Sequence, residues 1–209
     1  MIGAIIFCLV MGYVCGCISS GYIVGKVCKV DVRQHRSGNL GATNVMRTLG
    51  VGAGAITLLC DLAKCIIPVL LVRYVLFQEF AAFSYENQLL VLYTALGAVL
   101  GHNFPFYLKF HGGKGITCMG AVMLMFDWRL ALFGIVTFVL IVAVTRYVSV
   151  ASLFEATMFP IWVALMCESD LHMILVTCIF TISAFYTHRA NIKRLINGNE
   201  NKLGAKKKD

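Results

Sequence analysis

Long apolar runs alternate with short polar segments along the whole chain. A helix that crosses a membrane needs about 20 mostly apolar residues. The runs therefore predict an all-α, polytopic transmembrane helix bundle with about seven spans, in a single domain over residues 1–209. The predicted spans are Met1–Ile23, Val51–Phe77, Leu89–Phe106, Ile116–Phe126, Leu130–Val144, Val150–Met166 and Leu171–Phe185. The fourth run is short and suits a half-span, and five spans with the short segments at the surface fit the pattern as well.

The composition is that of an integral membrane protein. Of the 209 residues, 59% are hydrophobic and 13% are charged, whereas soluble domains are about 45–50% apolar and about 25% charged. The cysteines lie mostly in or beside apolar runs, where a free thiol behaves as a small hydrophobic group. No cysteine–histidine spacing resembles a zinc site. The net charge of +8 raises nucleic acid as a partner, but its distribution fits membrane topology better, so no nucleic acid partner is predicted.

The basic residues predict the sidedness of the bundle, because lysine and arginine are enriched in cytoplasmic segments. With the amino terminus outside and the carboxyl terminus cytoplasmic, the inner segments hold most of the 18 basic residues, including Lys206, Lys207 and Lys208. The same topology places the polar, glycine-containing segments on the cytoplasmic face, at residues 36–50, 109–117, 149–152 and 188–201. Polar groups are costly at a membrane unless they pair or bind something. The four segments therefore predict one site facing the cytoplasm.

The second of these segments has the composition of a phosphate-binding loop. It reads His111-Gly112-Gly113-Lys114-Gly115, with three glycines around one lysine. Glycine lets the backbone approach a ligand closely, and successive N–H groups together with a lysine can bind one anion. The longer spacing of the nucleotide-binding P-loop is absent. The alternative is an ordinary glycine-rich turn.

The first segment offers hydroxyl groups, amides and one arginine. An arginine fork matches phosphate oxygens two at a time, so Arg47 is a candidate phosphate ligand, and Ser37 can donate to the same anion. The polar candidates around them are Asn39, Thr43 and Asn44. Two alternatives remain open: the small polar residues cap and turn the chain between spans, and Arg47 anchors the inner face.

The last segment contains the strongest candidate for proton transfer. His35, His102 and His111 are weaker candidates, and the alternative for His102, at the end of an apolar run, is a core residue with satisfied hydrogen bonds. His188 and Asn191 are three residues apart and so share a helix face,. A histidine accepts or donates a proton near neutral pH, and an adjacent asparagine can hold a substrate hydroxyl. An interfacial histidine is the alternative. Ser149 and Ser152 have the same spacing and either face this pocket or cap a helix. No Ser-His-Asp or Cys-His arrangement is visible.

Charged residues inside the predicted spans need a separate account. Asp61 and Lys64 are three residues apart near the middle of the second span. Intramembrane charges are functional candidates by default, but an ion pair on one helix face explains both, and this structural interpretation is preferred. Glu155 has no local partner in the sequence and could reach a basic residue of the cytoplasmic face.

The motifs, taken in order, resemble those of the bacterial acyl-phosphate:glycerol-3-phosphate acyltransferases. The resemblance covers nearly the whole chain and rests on residues 37–50, 101–117 and 188–200, with smaller signatures at residues 20–26 and 61–64. It implies a seven-helix membrane enzyme of the bacterial inner membrane with its motifs on the cytoplasmic side. His111, where many members have lysine, and Cys65, where glycine is usual, depart from the pattern without removing a candidate group.

The resemblance also implies an activity and its partners. The family transfers a fatty acyl group from acyl phosphate to the terminal hydroxyl of glycerol 3-phosphate, giving lysophosphatidic acid and phosphate in the first step of phospholipid synthesis. It needs no cofactor and no metal. The expected partners are these two substrates and membrane lipids, and a functional coupling to the enzyme that forms acyl phosphate is compatible with them.

Site roles follow from the resemblance residue by residue. Ser37, Arg47 and Lys114 look like the phosphate-binding set, to which Ser152 adds. His188 and Asn191 look like the pair that positions the glycerol end, and Glu200 resembles a structural glutamate. The backbone cradle is implied at Gly112, Gly113 and Gly115. The rival functions from the residues alone are a phosphate or organophosphate transporter and a membrane scaffold whose basic tail binds anionic lipid.

Overall fold

The structure, a computed structural model, describes residues 1–167 and 170–204, and over these residues it contains helices and no strand. The lysines at positions 206 to 208, which the sidedness argument used, lie outside the described residues. The chain divides into two compact units, Met1–Phe126 and Asp127–Asp209. The all-α prediction is confirmed, and the single domain over residues 1–209 stays a prediction.

The first unit contains six α-helices. They are α1 (Ile2–Gly16), α2 (Ser20–Val27), α3 (Ala42–Leu49), α4 (Val51–Leu71), α5 (Tyr85–Asn103) and α6 (Ile116–Phe126). Single 3-10 turns lie at Val32–Gln34 and Phe106–Leu108. A π-helical turn, Val72–Leu76, extends α4.

Helices α1 and α5 pack with their backbones in contact. A side chain added to any of four small positions would overlap the backbone of the facing helix, namely at Gly12 and Gly16 of α1 and at Gly97 and Gly101 of α5. Small residues allow such close approach, and in a membrane this packing replaces the hydrophobic effect as the force between helices. Helix α5 is accordingly buried over most of its length. It forms the central element of the first unit.

The predicted first span is interrupted. Helix α1 ends at Gly16 and α2 begins at Ser20, so three residues lie between the helices. Two distant side chains satisfy the carbonyl groups that the interruption leaves open: the hydroxyl of Tyr107 donates to Cys17 O at 2.8 Å, and Lys64 Nζ donates to Ile18 O at 2.8 Å. Backbone irregularity inside a membrane is tolerated where such partners exist.

Helices α3 and α6 lie beside different halves of α4. Helix α3 folds back on the start of α4 through Gly50, and a side chain at Gly54 would overlap Met46. Helix α6 contacts α4 further along, where Cys118 Sγ lies 3.7 Å from Asp61 O and Arg73 Nη1 donates to Met125 O at 2.7 Å. Asp61 lies about 15 Å along α4 from its first residue. The loop that precedes α6 is therefore recessed to the middle of α4.

Over its described residues, 127–167 and 170–204, the second unit contains four α-helices. They are α7 (Trp128–Thr145), α8 (Val148–Met166), α9 (Leu171–Thr187) and α10 (Arg189–Ile196). Helix α10 continues α9 after a bend of 61° at His188. Within this unit Phe159 of α8 packs against Phe180 of α9, with ring centroids 5.4 Å apart, and Trp162 Nε1 donates to Asp127 at 3.1 Å.

The number of helices that can cross a membrane is close to the prediction. In the described part of the chain, five helical stretches are long and apolar enough, namely Ile2–Val27, Val51–Leu76, Tyr85–Leu108, Trp128–Thr145 and Val148–Met166, and the bent pair α9 and α10 makes a sixth. Helix α6 has 11 residues and is about 16 Å long, too short for a hydrocarbon core of about 30 Å. It is the predicted half-span. The sidedness stays a prediction.

Candidate active site

The first polar loop is built around the buried side chain of Asn44. Its Oδ1 accepts hydrogen bonds from Ser37 N at 3.1 Å and Ser37 Oγ at 3.0 Å. Its Nδ2 donates to Val32 O at 3.1 Å and His35 O at 3.3 Å. Asn44 is 2% exposed. Because both ends of its amide group are used inside the loop, Asn44 holds the loop together, and its substrate-binding role stays a prediction.

The side chain of Asn39 also accepts a hydrogen bond from the backbone of its own loop. Its Oδ1 accepts from Gly41 N at 2.7 Å, just before α3 begins at Ala42. Such side-chain bonds two residues along the chain are typical of asparagine in turns. The alternative interpretation, that the small polar residues shape the turn, therefore holds for Asn39 and Asn44, and substrate binding by Asn39 is not supported.

The groups that the first loop presents outward are Ser37, Thr43 and Arg47, all of which are exposed. Thr43 and Arg47 are four residues apart on α3 and so share a face. Within the described residues, Arg47 makes no ion pair with a carboxylate. Its phosphate-binding role stays a prediction, with which this observation is compatible.

Arg33 differs from Arg47 in this respect. Its Nε and Nη2 donate to the two carboxylate oxygens of Asp31 at 2.9 and 2.8 Å. These hydrogen bonds from Arg33 lower the pKa of Asp31 to about 2. Arg33 therefore balances a carboxylate of its own loop and is a weaker candidate for a phosphate than Arg47.

The glycines of the second loop pack against the end of α5. Gly112 N donates to Asn103 O and Gly113 N donates to His102 O, both at 3.0 Å. A side chain at Gly112 would overlap His102 O, and one at Gly113 would overlap the His102 ring. These two N–H groups are used inside the chain, so the predicted cradle of free amide donors is not formed there. Gly112 and Gly113 instead permit close packing.

Gly115 has a backbone requirement of its own. Its φ of 78° lies in the left-handed region, which glycine adopts without strain. The residue is buried, and a side chain there would meet Asn103. Helix α6 begins immediately afterwards at Ile116. Lys114, which is half-buried, is thus held between two constrained glycines at the start of a helix, where unpaired N–H groups favour an anion,.

The two loops of the first unit pack on one hydrophobic cluster. Val32, Leu40 and Val45 come from the first loop and α3, and Leu108 comes from the segment that leads to Lys114. The first loop and the segment that leads to Lys114 are therefore neighbours through this cluster. The joint binding of a phosphate by Arg47 and Lys114 stays a prediction.

The ion pair predicted between Asp61 and Lys64 is present, and two further side chains contact it. Lys64 Nζ lies 2.8 Å from Asp61 Oδ1, and the two side chains are 1% and 4% exposed. Lys64 also contacts His102 Nδ1 at 2.8 Å, and Ser20 Oγ donates to Asp61 at 2.9 Å. The spacing of residues in the sequence does not indicate the last two partners, because each is some 40 residues away from its contact.

The second unit holds the candidate histidine at the bend between α9 and α10. His188 is 2% exposed, and its Nδ1 lies 2.9 Å from Ala184 O. A carbonyl oxygen only accepts, so Nδ1 carries the hydrogen. In the neutral ring Nε2 is then the nitrogen that accepts a proton. Asn191 follows one helical turn later and is 6% exposed.

Glu200 joins three side chains around Asn191. Its Oε1 accepts from Asn191 Nδ2 at 2.7 Å and from Ser149 Oγ at 3.2 Å, and its Oε2 accepts from Arg194 Nε at 2.7 Å. The two polar segments of the second unit, at residues 149–152 and 188–201, therefore do meet. Glu200 has the position of a structural residue that fixes the Asn191 amide. Ser149 takes part in this network through its hydroxyl group, and the N-cap position of α8 is occupied by Tyr147 and not by Ser149.

Two further residues of the second unit have partners that the sequence did not predict. Ser152 is buried, and its hydroxyl donates to Val148 O at 2.9 Å, one turn back on the same helix. Its predicted addition to the phosphate site is therefore not supported by its present hydrogen bond. Glu155 accepts from Thr137 Oγ1 of α7 at 2.7 Å, so its partner is a neighbouring helix and not a basic residue of the cytoplasmic face.

The predicted groups thus come together in pairs of segments within each unit. In the first unit, the loop with Arg47 and the segment that leads to Lys114 share a hydrophobic cluster. In the second unit, the segments with Ser149 and His188 meet at Glu200. The gathering of all four segments at one site stays a prediction. Among the residues that the structure describes, no group of three or more histidine, cysteine, aspartate or glutamate side chains is placed to hold a metal ion.

Comparison with known proteins gives a consistent result. A family model described as glycerol-3-phosphate acyltransferase matches residues 6–198. The chain is 41% identical over 201 residues to the glycerol-3-phosphate acyltransferase of Clostridioides difficile (strain 630), covering 95% of both chains. It is 36% identical over 196 residues to that of Bacillus subtilis (strain 168), covering 93% of this chain and 95% of the relative.

Solved structures agree with the sequence relatives. The chain is similar to PlsY, an integral membrane glycerol 3-phosphate acyltransferase, in its glycerol 3-phosphate form, with a TM-score of 0.83 and 30% identity over 96% of each chain. For the lysophosphatidic acid form of PlsY the TM-score is 0.81, over 96% of this chain and 95% of that one. The family model spans most of the chain, and the relatives exceed 30% identity over nearly all of it. The chain therefore belongs to the glycerol-3-phosphate acyltransferase family.

Proposed function

We propose that this multi-pass membrane protein transfers a fatty acyl group from acyl phosphate to the terminal hydroxyl of glycerol 3-phosphate, giving lysophosphatidic acid and phosphate. The observation that carries the proposal is the likeness, over 96% of the chain, to PlsY solved with glycerol 3-phosphate and with lysophosphatidic acid. The choice of acyl phosphate as donor goes beyond that likeness. It is supported by the chemistry of the first unit, in which an arginine and a lysine on adjacent loops suit a phosphate group.

The first unit binds the phosphate of the donor in this proposal. Ser37 and Arg47 present their polar groups on the outer side of the first loop, and Lys114 lies between Gly113 and Gly115 on the second. The second loop is recessed along α4, so a phosphate bound there lies beside apolar helix surfaces that accommodate an acyl chain. Charge on the phosphate is stabilised by preorganised donors and need not be neutralised by a metal.

The second unit handles the hydroxyl of glycerol 3-phosphate. The hydroxyl oxygen attacks the acyl carbonyl carbon, the bond from that carbon to the phosphate oxygen breaks, and phosphate leaves. The hydroxyl proton goes to His188 Nε2, which the hydrogen bond from Nδ1 to Ala184 O leaves as the basic nitrogen,. Asn191, held by Glu200, orients the glycerol end. Phosphate is a good leaving group, so positioning supplies much of the acceleration.

The cellular setting completes the proposal. The protein lies in the bacterial inner membrane with its catalytic groups towards the cytoplasm, where soluble glycerol 3-phosphate is present. It receives acyl phosphate from the enzyme that forms this compound. The excess of basic residues on the polar segments supports this orientation,.

The test uses purified full-length protein in detergent with palmitoyl phosphate and glycerol 3-phosphate, following released phosphate and lysophosphatidic acid. We expect both products in equal amounts. Lys114→Met should lower kcat/KM by about 10- to 100-fold, since a hydrogen bond to a charged group is worth about 1.5–3 kcal/mol. Lys109→Met, in the same loop and exposed, is the matched control and should stay near the wild-type rate.

Two other results would each contradict one part of the proposal. Phosphate release without lysophosphatidic acid would mean hydrolysis of the donor and would reject acyl transfer to glycerol 3-phosphate. Equal losses in Lys114→Met and Lys109→Met would assign the effect to general loop charge and remove the specific role of Lys114.

A further inference from the structure

A buried polar cluster lies directly beneath the second loop of the first unit. It joins Ser20 of α2, Asp61 and Lys64 of α4, and His102 of α5. All four residues are 6% exposed or less. None of them is among the groups assigned to substrate above, although charged side chains in a membrane protein are expensive to bury.

The lysine fixes the orientation and the tautomer of His102. An ammonium group has three hydrogens and no acceptor, and Lys64 Nζ has three partners at 2.8 Å: Asp61 Oδ1, His102 Nδ1 and Ile18 O. Lys64 therefore donates to Nδ1, and in the neutral ring the hydrogen lies on Nε2. The imidazole can meet this bond in only one orientation, so its far edge has a defined position.

The far edge of the His102 imidazole packs against the glycine loop, residues 112–115. A Cβ built on Gly113 would overlap the imidazole, with Nε2 as the nearest atom, and Gly113 N donates to the carbonyl of the same histidine at 3.0 Å. Gly112 N makes the equivalent bond to Asn103 O. Both the ring and the backbone of His102 thus contact the residue that immediately precedes Lys114.

We propose that His102, held by the Asp61–Lys64 pair, is a positioning residue that sets the place of the loop 112–115 and hence of the Lys114 ammonium group. The inference rests on the proposed phosphate-binding role of Lys114. Stability alone does not require the cluster, because well-packed apolar residues often replace a buried ion pair at no cost. An apolar side chain under Gly113, however, would lack the directional bond that gives the ring one orientation.

The decisive variant is His102→Asn, because asparagine Oδ1 can accept from Lys64 as Nδ1 does, while the ring edge under Gly113 is lost. The matched control is Ser20→Ala, which removes a different hydrogen bond of the same cluster, to Asp61, away from the loop. Two quantities are measured for each: hydrogen exchange of the peptide covering residues 109–117 without substrates, and the KM values for palmitoyl phosphate and glycerol 3-phosphate. Thermal unfolding in detergent reports stability.

His102→Asn should speed exchange in residues 109–117 and raise the KM for palmitoyl phosphate about tenfold or more, since displacements of about 1 Å at a catalytic group have effects up to about 100-fold. The KM for glycerol 3-phosphate should change less than the KM for the donor. Ser20→Ala should lower the unfolding temperature without either loop effect. If His102→Asn does not fold, Gly113→Ala displaces the ring from the loop side and should give the same two changes, with Gly120→Ala, which enters open space, as its control.

The outcomes separate this inference from the proposed function. Faster loop exchange in a protein whose wild type makes no lysophosphatidic acid would reject the function and retain the positioning role. An active wild type whose His102→Asn and Gly113→Ala variants keep normal exchange and normal donor KM would overturn the inference. Equal loop effects in Ser20→Ala would also overturn it, because they would show general loosening of the cluster.

Discussion

The polar side chains of the loops are of two kinds. Some hydrogen-bond backbone groups and hold the loop in shape, and others are exposed on the surface of the loop. Asn44 and Asn39 direct their amides to backbone groups, whereas Ser37 and Arg47 lie on the exposed side of the same segment. In the second unit Glu200 has the shaping role and fixes the amide of Asn191. The same residue types thus serve structure or ligand according to whether their polar atoms are already satisfied.

The role of His188 leads to a prediction about proton transfer. His188→Gln keeps a side chain of similar size but removes the basic nitrogen, so kcat should fall by about 100- to 10,000-fold, the usual contribution of a general base. The pH–rate profile should lose its acidic limb at the same time. Steady-state kinetics from pH 5 to pH 9 measures both.

Lys193→Gln, on the exposed side of α10, is the control for His188→Gln and should retain the wild-type profile. Near-normal turnover of His188→Gln would contradict the assignment. The proton would then pass to the substrate's own phosphate.

The sequence could predict these site residues only in part. Local spacing was sufficient for the ion pair of Asp61 with Lys64, because a helix brings residues three apart onto one face,. It was insufficient for Asn44, whose four hydrogen bonds depend on how the loop turns, and for His102, which meets Lys64 from another helix. Residues that contact across helices carry no signal at a fixed spacing.

At the scale of helices, the apolar runs predicted where helices occur but did not predict where a helix is interrupted. Each predicted span corresponds to helix in the structure, and the short helix α6 was recognised from its length. The interruption at residues 17–19 was not predicted, since its open carbonyls are satisfied by Tyr107 and Lys64 from far along the chain. Because the run as a whole is apolar, its hydropathy pattern does not reveal the break.

The contact between α1 and α5 leads to a prediction about stability. Gly16→Ala places a methyl group against the backbone of Ala98, so it should destabilise the protein by about 1–3 kcal/mol, the usual cost of overpacking. Thermal unfolding in detergent, followed with a thiol-reactive fluorophore, measures this because Cys8, Cys17, Cys65 and Cys118 are buried in the first unit.

Gly120→Ala makes the same chemical change on α6 where no atom lies within 4 Å. It should be neutral or stabilising, since alanine favours a helix over glycine by up to about 1 kcal/mol. Equal unfolding temperatures for Gly16→Ala and Gly120→Ala would show that the α1–α5 contact tolerates separation.

At the scale of the whole molecule, the distribution of basic residues predicts which side of the membrane the polar loops face. Cys28 is exposed directly after α2, at the start of the first loop. It should react with a membrane-impermeant maleimide in inside-out vesicles and not in right-side-out vesicles. Labelling followed by mass spectrometry measures the difference.

Two controls define the experiment on sidedness. Cys28→Ser should abolish the labelling of inside-out vesicles at this position. Glu79→Cys in that background places a thiol in the exposed segment after α4, and it should label in right-side-out vesicles. Reaction of Cys28 in right-side-out vesicles would reverse the predicted orientation.

The half-length of α6 has a consequence for how the enzyme meets its substrates. Because the loop before α6 lies at the middle of α4, we expect Lys114 to bind its proposed phosphate below the plane of the lipid headgroups. In the proposed function the acyl donor then arrives from within the bilayer, and its effective concentration is a number of molecules per area of bilayer. Glycerol 3-phosphate arrives from solution and is counted per volume. The rate of lipid synthesis at this step therefore depends on how crowded the leaflet is as well as on the metabolite pool.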